Sequence, residues 1–323
     1  AAVLASCARQ PAVTAENYLS RFVDPTVSPR EDFFRYAVGK WLAANPIPAA
    51  ERSWGISHVV QEETYRRLVE INDEAAAAKQ VAPGSAAQKI GDFWHAAMDT
   101  GTIEKQGYAP LEAEFARIES VQDVNGLMDA IARLKRLGVG VFCSMPIYQD
   151  EKNSERFALH LWQGGLGLPN RDYYFDTDER SANIRREYPV HVRRMFELLG
   201  DDSTTATANA AVVMKLETEL AGASRKLEAL RDPHANYNAM PVGALARLAP
   251  SVRWREFIEA GGMRQLDTVI VGQPEFFRQL EKSLRSRPLD EWKTYLRWHL
   301  ASAYAAEAGG RFDAENFRFY GTI

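Results

Sequence analysis

Leu161-Trp162-Gln163-Gly164-Gly165-Leu166-Gly167-Leu168-Pro169-Asn170-Arg171-Asp172-Tyr173-Tyr174-Phe175 joins an apolar strand to an aromatic foot through a glycine-rich turn. Residues 157–162 are apolar with partial alternation, the pattern of a half-buried strand. Gly164, Gly165 and Gly167 permit backbone angles that a Cβ resists, and Pro169 stops a regular ladder. Asn170-Arg171-Asp172 supplies turn chemistry. Tyr173, Tyr174 and Phe175 carry too much aromatic surface to leave in water, so the turn is expected to pack into the body.

Gly165-Leu-Gly-Leu-Pro-Asn-Arg-Asp-Tyr-Tyr174 resembles the signature of the N-terminal region of neprilysin-like zinc metallopeptidases, the neprilysin and endothelin-converting enzyme family. The segment reads as a structural turn that marks the family, and the active site lies elsewhere. Asp32-Phe33-Phe34-Arg35-Tyr36 resembles the family's early segment, with Arg30 and Val38 where animal relatives carry disulfide cysteines. Asp232-Pro233 and Tyr237-Asn238 resemble a further family motif. The likeness runs from about Pro29 to Phe319-Tyr320-Gly321. It implies a mainly α, multi-helical neprilysin-like N-terminal domain with a small antiparallel β element. It also implies zinc in the full-length enzyme, small peptides as substrates, and cleavage on the amino side of hydrophobic residues.

Outward from the signature, hydrophobic periodicity and capping residues predict helices. They cover 32–41, read as short and buried, 59–78, 85–98, a stretch from 110 and another from 123. After the signature, helices are predicted over 181–199, 204–230, 242–248, around 254–258, over 275–284 and from 290. Residues 139–142 read as a strand that pairs with 157–162 in a hairpin, 146–154 as a polar loop, and 268–271 as a short strand. Residues 8–28 read as a tether, and 29–323 as the folded domain.

In the family, the stretch around Arg52-Ser53-Trp54-Gly55-Ile56-Ser57-His58 lies on the wall of the substrate cavity. It can supply an arginine for a peptide's terminal carboxylate. By the resemblance, Arg52, Ser53, Trp54 and His58 are the candidate substrate-binding residues. The pattern departs here: the arginine positions fall on Ser53 and Gln61, Arg52 is one residue off, and His58 takes the place of an aspartate. A solvated arginine is the alternative reading of Arg52.

Zinc peptidase chemistry of this kind needs two histidines four apart on a helix with a glutamate between them. The six histidines are His58, His95, His160, His191, His234 and His299, and no two are four apart. No catalytic or metal-ligating residue is therefore expected in this chain, and no cofactor is expected on it alone. Phosphate-binding loops, dinucleotide fingerprints and nucleophile elbows are also missing. The expectation is the cavity-forming N-terminal portion of the enzyme, inactive by itself, with a C-terminal catalytic half as its partner. The alternative is a non-catalytic peptide-binding or interaction lipoprotein; a reading frame continuing into His-Glu-x-x-His would favour the first.

The 323 residues are 46% hydrophobic and 25% charged, in the range of a globular chain with a sizeable core. A net charge of -4 argues against nucleic acid as a partner. Of the two cysteines, Cys143 lies in an apolar run and is expected to be buried and inert. Leu4-Ala5-Ser6-Cys7 resembles a bacterial lipoprotein processing box, so residues 1–7 read as the remnant of a lipoprotein signal. It implies lipidation at Cys7 and attachment to the periplasmic side of the outer membrane. A chance cysteine in a tail is the alternative.

Overall fold

Short acidic side chains set many of the helix starts, because they accept the amides a first turn leaves unpaired. In the computed structural model, which describes residues 18–49 and 51–323, Asp32 accepts the Arg35 amide at 2.9 Å and opens α1 (Phe33–Ala44). Cys7 and its processing box lie outside the described residues. The chain divides into two units, Ala1–Met98 and Asp99–Ile323.

The first unit continues with α2 (Ile56–Ala77) and α3 (Ala86–Met98). Gly91 lets these two helices close, since a Cβ there would sit 2.6 Å from the Ala75 carbonyl oxygen. Trp94 adds a bond from its indole N–H to Asp73 at 2.8 Å. Residues 20–22, read within the tether, form a 3-10 turn. The expectation of a buried first helix fails: α1 has no buried residue, and Phe33 is 69% exposed. Its aromatic stripe is real, but nothing among the described residues covers it fully.

The second unit holds the core. Its first helices are α4 (Thr100–Gln106), α5 (Glu112–Glu119) and α6 (Val124–Arg136), the last capped by Asp123. The sequence reading missed α4, although Asp99 caps it. A hairpin follows, β1 (Ile147–Asp150) and β2 (Asn153–Leu161). Next come α7 (Asp172–Phe175), α8 (Glu179–Leu198), α9 (Ser203–Ala223), β3 (Asn238–Pro241), α10 (Trp254–Ala260) and β4 (Thr268–Val271). The chain ends with α11 (Pro274–Ser286), α12 (Leu289–Ala303), α13 (Gly310–Asn316) and a π-helical turn, Phe317–Thr322.

The strands form a mixed sheet in the order β1-β2-β4-β3. β2 runs parallel to β4, with Leu161 opposite Val271, and the other pairs are antiparallel. The hairpin partner of β2 is therefore 147–150, in the stretch read as a polar loop, and not 139–142. Phe142 explains the correction. It sits at φ 67, a left-handed conformation that a strand cannot contain. The Tyr295 hydroxyl holds it there, accepting the Phe142 amide at 3.1 Å and donating to the Gly165 carbonyl at 2.8 Å. Ser144 bridges to the far end of the hairpin, opposite Trp162.

The helix expected to reach residue 230 stops at Ala223. Gln163 takes over both backbone groups of Arg225: its Oε1 accepts the amide at 2.7 Å and its Nε2 donates to the carbonyl at 3.0 Å. Residues 242–247 form a 3-10 helix. Cys143 is buried, as expected.

The chain's last turns are fastened to α8 through His191. Its Nδ1 lies 2.9 Å from Glu315, and its ring stacks on Phe319 with centroids 4.9 Å apart. Its Nε2 is buried without a partner. Burial lowers the His191 pKa, with Glu315 opposing. Burial would raise Glu315, but His191 and Arg318 outweigh it and hold the carboxyl at about 2. Both folded pKa values are depressed, so both contributions are complete at neutral pH and are lost as pH falls. We expect the melting temperature to drop first as pH passes below the ordinary histidine value of 6.5, and again below 4.5. His191→Phe should remove the upper step and, because His191 helps to hold Glu315 low, shrink the lower one as well. An unchanged upper step in a thermal scan from neutral to acid would remove His191 from the account.

Candidate substrate-binding site

In the first unit, the turn before α2 presents one aromatic wall. Gly55 is the N-cap of α2 and has no side chain to offer, so His58 reaches back and its Nδ1 accepts the Gly55 amide at 3.1 Å. That bond places the imidazole proton of neutral His58 on Nε2. Trp54 stacks on the same ring, with centroids 5.3 Å apart and planes 24° from parallel. The indole in turn lines a cavity of about 350 Å³ with Gly55 and Ile56. Phe34, Val38 and Trp41 from α1 and Phe22 from the 3-10 turn line it as well.

Of the candidate residues, the structure brings Trp54 and His58 together. Arg52 and Ser53 do not line this cavity, and both are exposed. Arg52 has no ion-pair partner among the described residues. The cavity lining carries no charged side chain. The sequence reading missed the α1 contribution, because it treated Phe34 and Trp41 as core. It took His58 only as a substituted position; a glycine N-cap three residues before a histidine was the available signal.

The histidines of the second unit do not fit a metal site. His160 meets Glu151 at 3.2 Å, His191 meets Glu315, and His299 lies 3.0 Å from Glu217. These are three separate histidine–carboxylate pairs. Among the described residues, no three His, Cys, Asp or Glu side chains converge as ligands would. The described residues therefore offer zinc no donor set.

A family model described as Peptidase family M13 matches residues 29–323. The chain belongs to peptidase family M13. The M13 chain is 25% identical to endothelin-converting enzyme 1 of Cavia porcellus, over 98% of its own length and 43% of that relative. It is 27% identical to endothelin-converting enzyme-like 1 of Mus musculus, over 88% of its length and 38% of the relative. Among solved structures, the Mycobacterium tuberculosis zinc metalloprotease Zmp1 in complex with an inhibitor is 32% identical and superposes with a TM-score of 0.86. That match covers 94% of the M13 chain and 46% of Zmp1. The M13 chain thus spans less than half the length of these relatives. It is an M13 N-terminal domain with neprilysin-like relatives, as the signature turn implied.

Proposed function

We propose that the chain is the cavity-forming N-terminal portion of a zinc metalloendopeptidase that cleaves small peptides on the amino side of hydrophobic residues. The observation that carries this reading is the match to Zmp1 over 94% of this chain but 46% of that structure. Zinc, when bound, would polarise the scissile carbonyl and activate water, from residues outside this chain. The Trp54 cavity contributes an apolar wall suited to hydrophobic peptide side chains.

The partner in this reading is the catalytic half. Among the described residues, fourteen of the twenty-one exposed large apolar side chains fall in residues 18–98, although that stretch is the smaller part of the chain. Gly91 is the one residue of α1–α3 that is buried. Apolar surface of this extent marks an interaction face. The 323-residue chain alone should contain no zinc and should not hydrolyse a quenched peptide, whereas co-purification with the catalytic half should restore both. Stoichiometric zinc with turnover in the chain alone would overturn the proposal.

The same reading places the protein at the periplasmic side of the outer membrane, held by acyl chains on Cys7. The support is Leu4-Ala5-Ser6-Cys7. Cys7→Ser should abolish labelling by an alkyne fatty acid and move the protein to the soluble fraction. Labelling that survives the substitution would rule out Cys7 as the anchor.

A further inference from the structure

A second cavity, of about 460 Å³, lies in the Asp99–Ile323 unit between the end of the β1–β2 hairpin and the loop after α9. Its lining is rich in side-chain amides, but those amides are committed. Gln163 holds both backbone groups of Arg225. Gln273, itself buried, accepts the Gln163 amide at 2.8 Å and donates to Asn236 at 2.7 Å. Asn236 donates to the carbonyls of Ala229 and Asp232. These groups build the cavity and leave little hydrogen bonding for a polyhydroxylated ligand such as a sugar.

Four groups remain for a ligand: the Trp162 indole N–H, the Ser144 hydroxyl, the Arg231 guanidinium and the Glu151 carboxylate. Arg231 is exposed and has no ion pair among the described residues. Glu151 touches His160 at 3.2 Å, and its side chain is still 37% exposed. The cavity thus offers one cation and one anion. The same lining carries apolar surface from Trp162, Leu230 and Pro233. Its volume suits a small molecule.

We propose that this cavity binds a short zwitterionic peptide, of dipeptide size with an apolar side chain. Its carboxylate sits on Arg231, and its ammonium group sits on Glu151. The guanidinium fork is matched to a carboxylate, and charge-assisted bonds are the strong ones at a half-open site. The site is separate from the Trp54 cavity, and it stands whether or not the chain completes a zinc enzyme.

Calorimetric titration of the 323-residue chain with Gly-Leu, Gly-Leu-amide and N-acetyl-Gly-Leu tests it. Gly-Leu should bind, and amidation or acetylation should each weaken binding about tenfold, the loss of one charge-assisted contact. Arg231→Gln should bind Gly-Leu and its amide equally, and Glu151→Gln should treat the free and acetylated peptides alike. Circular dichroism melts establish that both variants fold. No binding at millimolar peptide, equal binding of the blocked peptides to the wild type, or continued discrimination against the amide by Arg231→Gln would each overturn the proposal.

Discussion

Gly167→Ala should destabilise the Asp99–Ile323 unit by about 4 kcal/mol, at the upper end of single-residue effects. A Cβ on Gly167 would overlap the Tyr188 hydroxyl, lie 2.8 Å from Tyr188 Cζ and reach 3.2 Å from Glu217 Oε1. Neither neighbour can yield. Tyr188 is fully buried, and its hydroxyl donates to Glu217 at 3.0 Å while accepting the Trp298 indole N–H at 2.9 Å. The methyl group must therefore displace either the signature turn or that hydrogen-bond chain. Gly200→Ala is the control. Gly200 has φ 104 but nothing within 4 Å, so alanine there carries backbone strain alone, on the order of 1 kcal/mol. Urea unfolding followed by circular dichroism separates the two. A Gly167→Ala midpoint no lower than that of Gly200→Ala would mean that the turn yields and the steric argument is wrong.

Glu217→Ala should have a comparable effect, about 3–5 kcal/mol, because two buried donors lose their acceptor and the missing side chain leaves a cavity. Glu217 is fully buried and receives the Tyr174 hydroxyl at 2.7 Å and the Tyr188 hydroxyl at 3.0 Å, while His299 Nε2 lies 3.0 Å away without hydrogen-bond geometry. Burial first, and then the Glu217 charge, push both tyrosine pKa values well above their usual level, so both remain donors. Alanine takes the acceptor from two hydroxyls in a closed interior, where each unpaired group is unfavourable. Glu217→Gln keeps the shape and one good acceptor, and should lose about 1–2 kcal/mol. The ordering alanine, glutamine, wild type in urea midpoint is the expected result. An alanine variant as stable as the wild type would show that the carboxylate is dispensable.

These two residues explain what the sequence made legible. The turn was recognisable because Gly165, Gly167, Pro169 and the tyrosines are local demands, written in consecutive residues. Tyr174 is indeed an anchor, for its hydroxyl accepts the Leu168 amide at 3.1 Å before reaching Glu217. Glu217 itself was passed over, although it lies four residues from Val213 on the same buried face of α9. An acid in an apolar stripe needs partners from elsewhere in the chain, and those came from α7, α8 and α12. The strand assigned to 139–142 failed for the same reason. Its apolar run is a strand by composition, and Tyr295, more than 150 residues away, forces Phe142 out of it. Of the candidate site, the aromatic character of Trp54 was visible. The cap at His58 and the wall from α1 were not, because both are matters of how the segments meet.

The parallel register of β2 with β4 bears on how the protein is made. On a ribosome, Leu161 emerges more than a hundred residues before its partner Val271. At about 5–20 residues per second, the β1–β2 hairpin waits roughly 5–20 s with its inner edge unpaired. Leu159 and Leu161, both buried in the finished protein, lack their partners Val269 and Val271 throughout that interval. Synthesis rate and chaperone supply between residues 161 and 271 should therefore govern the yield of folded protein more than its final stability does.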